Sequence, residues 1–258
     1  MIDNNTSYIL EQGDLNRPAT GRPVVYGTNG VISSGHYLTS MAGMRILLDG
    51  GNAFDALVAS TFAAAVIEPT ASYSLGAEST FMLFCAESGD IKALSGQGTA
   101  AAMATPEYFK SKGHHAIPTG PGRDAPLSFT VPGVVAACLS VLEIYGTKTV
   151  MDVITPSIEY AEGGIPNYEY MLDRLKAGKS VSQFERFPPG GLDIFFNNGS
   201  VPEPGSLLVQ STLGGILRKM ADAAAGDNRL RGIAAARDCF YHGEIADLIG
   251  VASNRVGG

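Results

Sequence analysis

Tryptophan is missing from all 258 residues, and so are most of the features that would fix a function at sight. No run of lysine and arginine interrupts a chain of formal charge −7 and pI near 5.1. A nucleic-acid partner is therefore excluded, because phosphate binding requires clustered cations. A membrane span needs about 20 consecutive apolar residues. The longest nearly unbroken stretch, residues 56–67, is interrupted by Ser60 and Thr61 and reads as a buried core helix. Cysteine is scarce and scattered: Cys85, Cys138 and Cys239 lie far apart in apolar settings. They are expected to be buried small hydrophobes, neither a disulfide framework nor a metal site. The opening residues carry no basic start followed by an apolar stretch, so no secretory leader is visible. A cytoplasmic setting is expected, or a periplasmic one if a leader has been removed.

Catalytic signatures are just as sparse. The adjacent His114 and His115 in "KGHHAIP" have no carboxylate or cysteine at ligand spacing and read as a solvated loop pair. No strand–GxxxxGK[ST]–helix exists to cradle a phosphate, and no G-x-S-x-G elbow to present a serine. Asp55, Glu68 and Glu78 could each serve chemistry, but no spacing singles one out. Neither a metal nor an organic cofactor is implied.

What is present is small and apolar. Hydrophobic residues make up 45% and charged ones only 17%, so either the surface is small relative to the interior or part of it is covered by a partner; 32 glycines and 14 prolines suit tightly turned packing of small side chains. Residues 1–23 read as a polar arm, and residues 24–258 as one layered unit of helices and hairpins. Short β-like runs at residues 24–26 and 31–33 flank a Thr-Asn-Gly turn and suggest a hairpin. Leu38, Met41, Ala42, Arg45 and Ile46 follow at helical spacing up to Gly50 and Gly51, which end that helix. Asn52 is placed to cap the next, "AFDALVASTFAAAVI", whose apolar residues go all round the cylinder and so must be covered on most sides. "STFMLFCAE" and "IKALSG", joined through Ser-Gly-Asp, make a hairpin. "SFTV" reads as a strand and is followed by a helix that opens after Pro132-Gly133 and closes at Gly146. Val150, Val153, Ile154, Ile158 and Ala161 form a further stripe that Pro156 is expected to kink or restart. Residues 111–126 and 186–206 read as loops. Leu213, Ile216, Leu217 and Met220 mark one more helix, and "GEIADLIGVAS" begins the last. The alternation by blocks favours a layered α/β or α+β domain.

Four blocks taken in order are more specific than any of these elements alone: "LDGGNAFDALVASTFAAAVIEP", "FMLFCAESGDIKALSGQGTAAAMATPEYF", "SFTVPGVVAACLSVLEIYGTKTVMDVITPSIEYAEGGIP" and "QSTLGGILRKMAD…FYHGEIAD". They resemble the large-subunit half of the γ-glutamyltranspeptidase family, over residues 24–258. The resemblance implies an α+β fold, the αββα four-layer sandwich of the N-terminal nucleophile hydrolases, completed by a second chain cut from the same precursor. It further implies amide hydrolysis through an acyl-Thr intermediate, with the terminal Thr on the small-subunit partner, no catalytic residue in this chain, and assembly as a heterodimer or heterotetramer. In the family the large subunit continues past "NRVGG", so the chain is expected to be truncated at its C-terminus.

One departure bears on the substrate, a small-molecule amide. Where γ-glutamyl enzymes carry an Arg that pairs with the substrate α-carboxylate, within a "D-x-R-E-x-A-P" context, this sequence has "LSGQGTAA". Gln97 stands at the Arg position and Gly98 where an acidic residue is usual. A neutral amide cannot make the bidentate charged pair of a guanidinium, so the resemblance with this change implies an acyl group other than γ-glutamyl. The family's glycine-rich "SGIGGGG" is altered to "ASYSLGAEST", which brings Glu78 toward the pocket. Two alternatives stay open: true γ-glutamyl transfer or glutathione hydrolysis, with Arg123 as substitute cation, and a non-catalytic binding scaffold.

Overall fold

The computed structural model describes residues 24–118, 123–177, 182, 184–185 and 191–256. The arm expected over residues 1–23 lies outside them. The chain divides into two compact units between Val31 and Ile32. Residues 24–31, the described part of the first, form no strand, and Val24, Val25 and Tyr26 are exposed. Residues 32 and 33, in the second, are not strand either. The hairpin expected across 24–33 is thus absent, since β-like residues form a strand only where a ladder partner and a buried face are available.

The second unit is built around one helix. Helix α1 (Tyr37–Leu48) ends at Gly50, whose φ of +79° is the left-handed conformation that stops a helix, as the glycine pair implied. Helix α2 (Ala53–Ile67) opens with a capping box: the Asn52 side chain accepts from Phe54 and Asp55 N–H, while Asp55 accepts from Asn52 N–H. Val58, Ala59, Phe62, Ala63, Val66 and Ile67 are all buried, so the helix is covered on most sides as its pattern required. It packs against α1, α4 (Val134–Tyr145) and α5 (Val150–Gly163). Its C-terminal carbonyls, orphaned by helix geometry, are taken by distant side chains. Gln210 Nε2 donates to Val66 O at 2.7 Å, and the Tyr168 hydroxyl donates to Ile67 O at 3.0 Å.

After α2 the chain turns through a short 3-10 segment, Pro69–Ala71, and enters the hairpin β1 (Ser79–Cys85) and β2 (Asp90–Gly96). The register runs from Ser79 opposite Gly96 to Cys85 opposite Asp90. Phe81 and Leu83 point into the core, whereas Met82, Phe84 and Ile91 on the other face are 81%, 61% and 68% exposed. That outer face is apolar and uncovered among the described residues.

Helix α3 (Pro106–Ser111) follows, and then the expected strand before α4 shrinks to a single bridge between Ala100 and Thr130. Helix α5 runs uninterrupted through Pro156, which does not restart it; that residue is buried against the core, where packing offsets the lost hydrogen bond. Small elements come next: β3 (Ile165–Pro166), α6 (Glu169–Lys176), α7 (Leu192–Phe195) and β4 (Leu207–Leu208), with β3 and β4 antiparallel. Three helices close the described chain: α8 (Ser211–Ala223) on α5, α9 (Arg229–Tyr241) on α8 and α4, and α10 (Glu244–Val256) on α9. No described helix is long and apolar enough to cross a membrane.

Cys138 is fully buried, and burial pushes its thiol up to about 12. Cys85 and Cys239 are only half-buried, against expectation: Cys85 ends β1 beside the turn, and Cys239 lies on α9 toward Lys219 and Glu244. His114 is not a solvated loop residue either; it is half-buried, edge-on to Phe109 and 3.2 Å from the Asp124 carboxylate.

Candidate functional site

Two of the carboxylates weighed from the sequence are scaffold. Asp55, wholly buried, accepts from Asn52 N–H, from Thr147 N–H and hydroxyl (2.9 and 2.7 Å) and from Lys148 N–H (3.1 Å), tying the start of α2 to the α4–α5 connection. Four donors explain how a carboxylate is tolerated there. Glu68, also buried, accepts the Thr39 hydroxyl at 2.7 Å at the far end of α2. Beside it the His36 ring lies against Tyr168. Its Nδ1 accepts from Leu38 N–H at 3.2 Å, and burial holds its pKa below the ordinary histidine value despite the Glu68 charge.

The residues singled out for substrate converge at the open end of the β1–β2 hairpin. The paired register ends at Ser79 opposite Gly96, and Glu78 and Gln97 are the next residues beyond it on the two strands. Gln97 is exposed and lines a cleft of about 320 Å³ together with Gly96, Gly98, Val131, Gly133 and Tyr241. Among the described residues, no lysine, arginine, aspartate or glutamate lines it. Glu78 stands just outside, exposed, its carboxylate accepting the Thr130 hydroxyl at 2.9 Å. Arg123, the one substitute cation weighed from the sequence, is not among the lining residues.

Two glycines make this end of the hairpin rigid. A Cβ on Gly98 would fall 1.6 Å from the Val131 carbonyl oxygen, and one on Gly133 would fall 1.9 Å from that of Gly96. Segments 96–98 and 131–133 therefore interlock backbone to backbone, helped by Val131 N–H donating to Thr99 O at 3.0 Å. Ala77 O accepts from both Gly133 and Val134 N–H (3.1 and 3.0 Å), which ties the residue before Glu78 to the start of α4. Gln97, Gly98 and Glu78 are the residues the sequence singles out; Gly133 and Tyr241, which line the same cleft as Gln97 and Gly98, are not among them. Their partners stand far off along the chain, where no local pattern reports them.

A larger groove of about 520 Å³ lies between α1 and α5, lined by Arg45, Asp49, Asp152 and Thr155 among others. Its charged groups are spoken for: Arg45 pairs with Glu159 at 2.6 Å, and Asp49 with Lys148 at 2.6 Å. It is remote in sequence from the hairpin end and offers no arrangement for acyl chemistry.

Comparison with known proteins places the chain by family and fold. The fold matches the cephalosporin acylase of Bacillus halodurans with a TM-score of 0.79 at 29% identity, over 95% of this chain and 43% of that one. It matches the γ-glutamyltranspeptidase of Helicobacter pylori with a TM-score of 0.75 at 29% identity, over 88% and 60%. The fold class is accordingly α+β, that of the N-terminal nucleophile hydrolases. Among curated proteins, the chain is 34% identical to the glutathione hydrolase-like YwrD proenzyme of Bacillus subtilis (strain 168), over 87% of this chain and 39% of the relative. It is 30% identical to the oxamate amidohydrolase proenzyme of Klebsiella pneumoniae, over 86% and 39%. The γ-glutamyltranspeptidase family model matches residues 39–258, and the chain belongs to that family. It spans about two fifths of the length of the curated relatives it matches.

Proposed function

We propose that this chain is the large-subunit portion of a self-processed amide hydrolase whose acyl group is not γ-glutamyl. The relatives are named as proenzymes, which supports a precursor cut into two subunits. The uncovered apolar face of Met82, Phe84 and Ile91 gives the small subunit a surface to cover. The nucleophile is a Thr exposed as the first residue of that subunit. Its hydroxyl attacks the amide carbonyl while its own α-amine takes the proton, the amine product leaves with that proton, and water then hydrolyses the acyl-Thr ester. This chain supplies the scaffold and one wall of the acyl site: Gln97 and Gly98 touch the acyl group, and Glu78 flanks its entrance through Thr130.

The observation that carries the substrate reading is that, among the described residues, no cationic side chain lines the Gln97 cleft. A γ-glutamyl donor brings a carboxylate that needs a charged partner to offset its desolvation. Gln97 offers a neutral carboxamide able to donate and accept, which suits an uncharged acyl chain. The test is a substrate panel on the full-length, processed enzyme, pairing γ-glutamyl amides with amides of uncharged acyl groups. Higher kcat/KM on the uncharged series is expected. Preference for γ-glutamyl donors would overturn the acyl assignment, and no turnover of any amide would leave a binding scaffold.

A further inference from the structure

The start of helix α4 has an unusual division of labour. Its N-cap residue is Gly133, which has no side chain with which to satisfy the first-turn N–H groups. The usual capping residues are barred, because any Cβ at this position would fall 1.9 Å from the Gly96 carbonyl oxygen. The cap comes from outside the helix: Ala77 O takes the Gly133 and Val134 N–H groups, and the far end of α9 takes the Ala136 N–H. The Tyr241 hydroxyl accepts from Ala136 N–H at 3.0 Å and donates to the Pro132 carbonyl at 2.7 Å. One phenol thus holds both sides of the junction 132–136. That junction interlocks with 96–98, and Gln97 stands on the resulting ridge while Tyr241 closes the same cleft.

The geometry points to Tyr241 as a positioning residue for acyl-group recognition: through the Pro132–Ala136 junction it sets where the Gln97 carboxamide stands. This rests on the function proposed above. Loss of the hydroxyl frees Ala136 N–H and the Pro132 carbonyl, leaves the first turn of α4 held by Ala77 O alone, and lets the 131–133 segment and its Gly96 and Gly98 contacts relax. Substrate binding is loosened, while the Thr chemistry on the other subunit is untouched.

The test is a double-variant cycle on the full-length, processed enzyme, with Tyr241→Phe, Gln97→Ala and both together, assayed on the preferred amide. Tyr241→Phe is expected to raise KM about tenfold, since small misplacements of a positioning group have effects of this order, and to leave kcat within about twofold. In the double variant the tyrosine change should add nothing beyond Gln97→Ala, because its effect runs through Gln97. Tyr168→Phe removes a hydroxyl bonded to Ile67 O elsewhere in the core and serves as control, expected to lower the thermal midpoint without moving KM. Additive effects of the Tyr241 and Gln97 variants, or an equal KM change in the Tyr168 variant, would overturn the assignment while the hydrolase reading stands. A wild-type enzyme without amide turnover, or one indifferent to Gln97→Ala, would overturn the site itself.

Discussion

Gly98 presses its Cα against the carbonyl of Val131 so closely that a methyl group there would fall 1.6 Å from the oxygen. The obstacle is backbone on both sides, so Gly98→Ala must push the two segments apart. A cost of about 1–3 kcal/mol is expected, as for overpacked sites, with Gln97 displaced. Denaturant unfolding measures the first effect, and KM on the preferred amide the second. A variant as stable and as active as the parent would contradict the interlock.

Asp55 makes a second prediction. Asp55→Ala leaves Asn52 N–H, Thr147 N–H and hydroxyl, and Lys148 N–H without their acceptor inside the fold. The loss should be at least about 3 kcal/mol, since orphaned buried donors cost about 1–3 kcal/mol each and partly rescue one another through water. The thermal midpoint of the variant reads this directly. A change of under about 1 kcal/mol would show the knot to be dispensable.

His36 gives a pH dependence. Its Nδ1 can accept from Leu38 N–H only when that nitrogen is unprotonated, and burial, partly opposed by Glu68, keeps the folded pKa below the unfolded value of 6.5. Between those two values the unfolded chain binds more protons than the folded one. The ring's contribution is therefore complete above pH 6.5 and is lost as pH falls through the lowered folded pKa. His36→Asn, which keeps a capping oxygen and cannot titrate, should flatten the fall in thermal midpoint between about pH 7.5 and about pH 5. An unchanged slope would assign the dependence to other groups.

Gln97→Arg tests the substrate reading from the opposite direction. A guanidinium at this position would supply the bidentate partner the cleft lacks, so relative kcat/KM for γ-glutamyl over uncharged acyl amides should rise about 10–100-fold, the worth of one charged hydrogen-bonded pair. No shift in that ratio would mean that position 97 does not meet the acyl group.

What could be read from the sequence was local. The Asn52 cap, the Gly50 stop and the Ser-Gly-Asp hairpin depend on neighbouring residues, and each formed where its chemistry is written. The failures at 24–33 and at 128–131 were strand-like runs whose partner strand is not at hand, a condition no local pattern contains. Helix α9 left little signal because its buried face is Gly232, Ile233, Ala236 and Phe240, two of them too small to mark a stripe. The site divided in the same way. Gln97 and Gly98 are candidates by where they fall in a resemblance, and Glu78 by an altered glycine run, whereas Tyr241 bonds residues 105 and 109 positions earlier, which only the folded chain brings together.

In the function proposed, this chain works with a second one bearing a terminal nucleophile, both cut from a single precursor. Intact-mass measurement with N-terminal sequencing of every polypeptide in the purified full-length protein decides this. Two chains are expected, the second beginning with Thr. A single uncut chain, or a second chain whose first residue is not Thr, Ser or Cys, would contradict it.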